Sequence, residues 1–250
     1  MNKKGIASVI ALVVVAGVTA VLLIPRSVST YHLEAEYPQG EKKPAYLWLT
    51  DIQDCNLEVS FVDDLNLLYE VNVALYESVP ASSAFEFTVN DYRTSSGWMD
   101  VKLNGIKSIK VLQVTLGSGV PYYLVVTGTD VNATFIYDNS AVGSGASIDY
   151  SATGSFVNLT FGETMTFSSF GMDVSIAGEP DYAYLYVNLP DGVNGAATIK
   201  EPLSIHSNTG WVFRSQFVDT VTYSTDPVNP EPLLGIGIWT KYGVHAWLSD

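Results

Sequence analysis

The sequence predicts an all-β protein behind one N-terminal apolar helix, its β-part a sandwich or a stack of β-repeats. Three observations predict it. Ile6 to Ile24 is an uncharged run of 19 residues, closed by Pro25. From His32 onward, apolar and polar residues alternate at period two almost without a break. Between the alternating runs stand clusters of Gly, Pro, Asn and Asp, the residues that turns require.

The apolar run comes first. A helix of about 20 apolar residues spans the hydrocarbon core of a bilayer, and a helix satisfies its own backbone groups there. Lys3 and Lys4 precede the run, while Arg26 is the one basic residue close behind it. That asymmetry predicts a single-pass anchor with a cytoplasmic N-terminus and an extracellular C-terminal part. Pro25 ends the helix, because it lacks an N–H and clashes with the preceding turn. A cleaved secretory signal is the other reading, with Val18-Thr19-Ala20 as its small-residue site.

Lys3-Lys4-Gly5-Ile6-Ala7-Ser8-Val9-Ile10-Ala11 resembles the N-terminus of archaeal type IV pilin-like proteins. The resemblance implies cleavage after Gly5, a mature chain starting at Ile6, and a retained helix able to pack in a filament. Ile10 departs from it, since many such proteins carry a glutamate there. Pro25 departs too, because a filament helix usually runs on.

The 225 residues after Pro25 are enough for one large β-domain or two small ones. Aromatic residues make up 12% and charged residues 15%, too apolar for disorder and too weakly charged for a solvated helical bundle. The net charge is −14, and setting aside Lys3 and Lys4 leaves −16 on the external part. A surface that acidic excludes nucleic acid and electrostatic docking on anionic lipid. Cys55 is the one cysteine, so the fold rests on its core; its place before an alternating run predicts a buried, inert thiol.

In chain order the alternation predicts strands at His32–Tyr37, Ala45–Leu49, Asn56–Val62, Leu68–Tyr76, Ala84–Val89 and Trp98–Leu103. The next are Ser108–Leu116, Tyr122–Thr127, Asn132–Tyr137, Ala146–Tyr150, Phe156–Phe161, Met165–Phe170 and Met172–Ile176. The last are Tyr182–Leu189, Trp211–Phe217, Thr220–Tyr223, Gly235–Thr240 and Val244–Leu248. The expected division is an anchor at 1–25, a first β-region at 31–78, a main β-domain at 84–224, and a Pro-rich loop with a C-terminal hairpin at 225–250. Val79-Pro80-Ala81-Ser82-Ser83 is the expected linker. The hairpin is expected to turn at Lys241-Tyr242-Gly243.

A weak internal repeat runs through the main region. Residues 117–128 align without gaps on 143–154, and 170–178 resemble a third copy, so that Gly128, Gly154 and Gly178 correspond. These Gly-Ser-Gly-punctuated strands, within residues 106–192, are similar to the repeats of adhesin domains on prokaryotic surface proteins.

Chemistry-bearing motifs are few. His32, His206 and His245 lack the spacing of a metal site, and no nucleophile elbow, Walker loop or dinucleotide fingerprint occurs. Asp63-Asp64 with Asn66, and Asp138 with Asn139, are acidic clusters that read as turn residues rather than calcium loops. No catalytic, cofactor-binding or metal-binding residue is assigned. Asn132-Ala-Thr134 and Asn158-Leu-Thr160 are candidate glycan acceptors. Tyr182, Tyr184 and Tyr186 fall on one face of a strand, with Ala183, Leu185 and Val187 on the other. That tyrosine face is a contact surface if exposed, or core if the strand is covered on both sides.

The expectation is a non-enzymatic, membrane-anchored surface protein in adhesion or surface structure. Its partners would be the bilayer through residues 6–24, and surface glycan or other surface proteins, with homo-oligomers open. A pilin-like filament subunit and an exported glycan-acting enzyme are the alternatives.

Overall fold

The computed structural model describes residues 29–36, 44–91, 99–137, 147–163, 172–190, 192–200, 202–208, 210–225 and 233–249. The apolar run, Gly5 and Ile6, the expected strand Met165–Phe170 and the Asp138–Asn139 cluster lie outside the described residues. Among the described residues no helix is long and apolar enough to cross a membrane.

The chain is all-β. Its strands are β1 (Thr30–Glu36), β2 (Ala45–Phe61), β3 (Leu67–Leu75), β4 (Phe85–Asp91), β5 (Met99–Gly105) and β6 (Ile109–Leu116). β7 (Tyr122–Tyr137), β8 (Ser147–Tyr150), β9 (Phe156–Phe161), β10 (Met172–Ile176) and β11 (Tyr182–Asn188) follow. The last six are β12 (Gly195–Lys200), β13 (Pro202–Asn208), β14 (Val212–Phe217), β15 (Thr220–Ser224), β16 (Leu234–Ile238) and β17 (Gly243–Ser249). A single helical turn, α1 (Ala81–Ala84), occupies the expected linker.

The strands form two long ladders. The first runs β4, β5, first half of β2, first half of β7, β8, β10, β16, β12, β15, β14. The second runs β1, β3, β6, second half of β2, second half of β7, β9, β11, β17, β13. Pairing between successive rungs is parallel; the antiparallel strands β4, β14, β15, β1 and β3 flank the ladders. Each rung places a strand in the first ladder, turns a corner, and returns in the second.

Residues of alternate parity point inward from both ladders and meet. Phe61 of the second ladder packs edge-on against Tyr122 of the first, with ring centroids 5.9 Å apart, and Phe135 meets Tyr150 in the same way at 6.2 Å. The buried phenols keep their hydroxyls satisfied. Tyr122 donates to Leu68 O, and Tyr150 donates to Val131 O, each at 2.7 Å. One continuous apolar cluster fills the interior.

Corners set the rung spacing. At the corner of β7, a Cβ on Gly128 would overlap Ile52 O of the neighbouring rung; on Gly154 it would overlap Val131 O, and on Gly178, Ala152 O. The three glycines aligned by the sequence repeat are therefore close-approach positions. The ladder register differs from the alignment. Tyr123 pairs with Ser147, 24 residues on, and Ser147 with Asp173, 26 on; the glycines run 26 and then 24. The strands stack in register while the corners absorb the two-residue difference.

Four expectations need correction. Ala45–Leu49 and Asn56–Val62 are one strand, β2, as Tyr122–Thr127 and Asn132–Tyr137 are one strand, β7: each keeps its ladder bonds around the corner. β2, within the expected first region at 31–78, lies between β5–β6 and β7, so the regions 31–78 and 84–224 share their ladders. The residues at 233–249 form no hairpin, because β16 and β17 belong to different ladders, each held by parallel neighbours. Residues 195–200 and 202–208, where the alternation predicts no strand, form β12 and β13.

Candidate functional site

The tyrosine strand is β11, and its two faces differ sharply. Ala183, Leu185 and Val187 are buried, whereas Tyr182 and Tyr186 are 38% and 40% exposed and Tyr184 is half-buried. The tyrosines line the outer face of the second ladder and form no part of the core.

Parallel register supplies their neighbours. Tyr184 sits between Asn158 on β9 and His245 on β17, and Tyr186 between Thr160 and Trp247. The Tyr184 and His245 rings stack with centroids 5.4 Å apart, and Tyr186 stacks on Trp247 at 4.4 Å with planes 10° apart. Tyr182 leans on Tyr242 at 5.7 Å, with the Lys241 ammonium 5.0 Å above the Tyr242 ring and 3.9 Å from an Asp181 carboxylate oxygen. Stacking in this direction consumes ring faces and turns ring edges and phenol oxygens outward. Burial first, and Tyr184 second, hold the Tyr186 phenol above its ordinary value, so it stays neutral and able to donate. The result is an amphipathic strip, aromatic below and hydrogen-bonding above.

His245 and Trp247 were missed at the sequence level. They alternate with Val244, Ala246 and Leu248, a visible signal for an outward face. Nothing local says that this face lies beside β11. Ser204 Oγ and His245 Nδ1 are 2.7 Å apart across β13 and β17, a cross-strand polar pair on an open face.

The first ladder also carries aromatics outward. Tyr46 stacks on Tyr123 at 4.7 Å, and Trp48 donates its Nε1–H to Asp100 at 3.2 Å. Farther along, the Trp239 indole lies over Gly237, where a Cβ would stand 2.7 Å from its Cζ3.

The candidate glycan acceptors lie on the outer face of the second ladder, with their side chains engaged. Asn132 Oδ1 accepts from the Ser155 and Phe156 N–H groups at 3.0 and 3.4 Å, holding the next rung's corner. Asn158 Nδ2 points to Thr134 Oγ1 at 3.4 Å. Asp64 Oδ1 accepts from the N–H groups of Asn66 and Leu67 at 2.8 and 3.2 Å, the geometry of a turn residue. His32 is exposed; its Nδ1 is 2.9 Å from Asn72 Oδ1, and that contact first, with Glu34 second, raises its affinity for a proton. The His206 side chain lies outside the described residues. Among the described residues no three His, Cys, Asp or Glu side chains converge as a metal site.

The fold is similar to a crystal structure of a protein of Clostridium sporogenes named "putative cell adhesion protein". The TM-score is 0.61 at 11% identity, over 89% of this chain and 100% of that one. At that identity the likeness is one of fold. No protein-family model and no curated protein matches the chain.

Proposed function

We propose that this chain is a non-enzymatic contact protein of the cell exterior, acting in adhesion or surface structure. Residues 6–24 hold it in the membrane, with the N-terminus inside and the β-stack outside. The observation that carries the reading is the outward strip of Tyr182, Tyr184, Tyr186, His245 and Trp247, with Tyr182 and Tyr186 exposed, on a β-face backed by a packed interior. Tyrosine and tryptophan give large contact area at low entropic cost and bind through ring edges and hydroxyls as well as ring faces. Surface glycan and surface proteins both suit such a strip. An acidic partner does not, because the chain carries −14. The likeness to the Clostridium sporogenes protein supports this reading through its name alone.

The test is retention of cells displaying the full chain on glycan-coated and protein-coated surfaces under flow. Replacing Tyr182 and Tyr186 together by Ser is expected to lower retention by roughly tenfold, the scale of one or two interface anchors, with display level and melting temperature unchanged. Retention no better than cells lacking the protein, or unaffected by the double substitution, refutes the role given to this face.

A further inference from the structure

A β-stack has to end, and an uncovered terminal strand offers a row of unpaired N–H and C=O groups to any other strand. Three of the four ends here carry a carboxylate or a proline. β1 carries Glu34 and Glu36 and shifts register between Ala35 and Glu36. β13 starts at Pro202 and shifts register twice. β4 carries an exposed Glu86.

β14 shifts register once, between Phe213 and Ser215, yet carries neither a proline nor a carboxylate. Its one charged residue, Arg214, is turned back along the ladder: Nε donates to Ser224 Oγ at 2.6 Å and Nη2 to Ser224 O at 3.4 Å. Val212 and Phe213 are each 49% exposed and Phe217 is 81% exposed. Among the described residues β14 pairs on one side only, with β15. Where the other three ends present a carboxylate or a proline, β14 presents apolar side chains.

We propose that β14 is a self-association edge. It pairs antiparallel with β14 of a second copy about a two-fold axis between Arg214 and Ser215, at the register shift that puts Val212 and Phe217 on one face, so the first ladder continues through two molecules. Charge selects a second copy at this end. Residues 192–225 contain Lys200 and Arg214 against Glu201 and Asp219, and are neutral. Residues 29–91 hold twelve carboxylates against two lysines. Two copies of so acidic a chain repel at the β1 end and approach freely at the β14 end. A strand pairing with itself closes the assembly at a dimer, because the surface is used up on both sides. The register is self-complementary. Val212 and Phe217 pair with Ser224 and Thr220, which share one face of β15. In the dimer each Val212 therefore meets the partner's Phe217 on the outer face, twice over.

The pairing stands without the adhesive reading; its cellular sense rests on it. Ser29 enters at β1, eight strand spacings from β13, or about 38 Å at ~4.8 Å per spacing. A β14 dimer puts the two N-terminal ends at opposite extremes of one doubled stack, which is the geometry of a contact between facing membranes.

The experiment is light scattering on the detergent-solubilised full chain, reading protein mass. The wild type is expected as a dimer. Val212→Lys with Phe217→Lys is expected to halve the mass, since four lysines then face one another across the axis. Val212→Glu with Phe217→Lys is expected to restore the dimer, each Glu opposing a Lys of the other copy. Should the Lys pair alter the melting curve, Phe217→Lys alone serves, at the tip where the side chain is most exposed. A monomeric wild type, a mass unmoved by the lysines, or no restoration by the Glu–Lys chain overturns the pairing. Association through residues 6–24 would survive the lysines and so counts against it. Clumping of cells displaying the wild type decides the role separately: a dimer without clumping leaves the pairing standing and sinks the adhesive reading.

Discussion

The sharpest consequence of the rung architecture falls on Gly154. This glycine does not adopt a positive φ, so a side chain is excluded by space alone. A Cβ there would stand 2.7 Å from Val131 C and 3.2 Å from Val131 N, and would overlap Val131 O. All are backbone atoms of the next rung, with no flexible side chain to swing aside. Two short bonds hold the same corner: Val131 N–H donates to Thr153 O, and Asp181 N–H to Gly154 O, each at 2.8 Å. Gly154→Ala must push the rungs apart and stretch both. Overpacking costs about 1–3 kcal/mol and each weakened bond about 1 kcal/mol, giving about 3–5 kcal/mol in all. Gly192→Ala is the control with the opposite character. It has φ of +78° and nothing within 4 Å of the added Cβ, so only the left-handed backbone is penalised, by about 1–2 kcal/mol. Urea unfolding of both variants in the same preparation separates the two effects. The Gly154→Ala midpoint should fall by about 1–2 M, taking a urea slope near the top of the usual range. A midpoint for Gly154→Ala at or above that of Gly192→Ala refutes the claim that inter-rung contact at the corners limits the stack.

Burial pushes the Cys55 thiol up to about 12, outweighing the hydrogen bond with the Leu112 backbone that pulls the other way; iodoacetamide at neutral pH should leave the folded chain unlabelled and modify it fully in denaturant. Asn132→Ala orphans the Ser155 and Phe156 N–H groups and should cost about 1–3 kcal/mol in chemical unfolding, while Asn132→Asp, which keeps the acceptor, should recover most of it; equal losses would show that Oδ1 does not hold the corner. Thr240 Oγ1 is buried with no hydrogen-bond partner among the described residues, so Thr240→Val should raise stability by about 1 kcal/mol, and a lowered melting temperature would mean the hydroxyl is satisfied after all.

Much of the local structure was legible. Period-two alternation marks β9 and β10 to the residue and most other strands within one or two, because an inward apolar position every second residue is what any strand with one buried face requires. Turn chemistry separated those strands, and the repeat picked out Gly128, Gly154 and Gly178, which the corners hold in close approach. The same alternation showed that Tyr182, Tyr184 and Tyr186 share a face opposite Ala183, Leu185 and Val187.

Partner choice was illegible, and the tertiary structure decided it. Alternation is identical for parallel and antiparallel pairing, so β16 and β17 read as a hairpin although each pairs elsewhere. β2 sits between rungs that follow it by tens of residues, and 234–249 sits between 172–188 and 195–208. Closing such loops costs little more than closing short ones, since the entropy grows only as the logarithm of length. The chain therefore carries no local mark of it. β12 becomes a strand despite Gly195-Ala196-Ala197 because β16 and β15 bond it on both sides, overriding a weak propensity. The sequence determined which side chains share a face. Only the packing of one ladder against the other determined that the tyrosine face of β11 looks outward, because a strand's exposure depends on what lies across from it, and that neighbour comes from elsewhere in the chain.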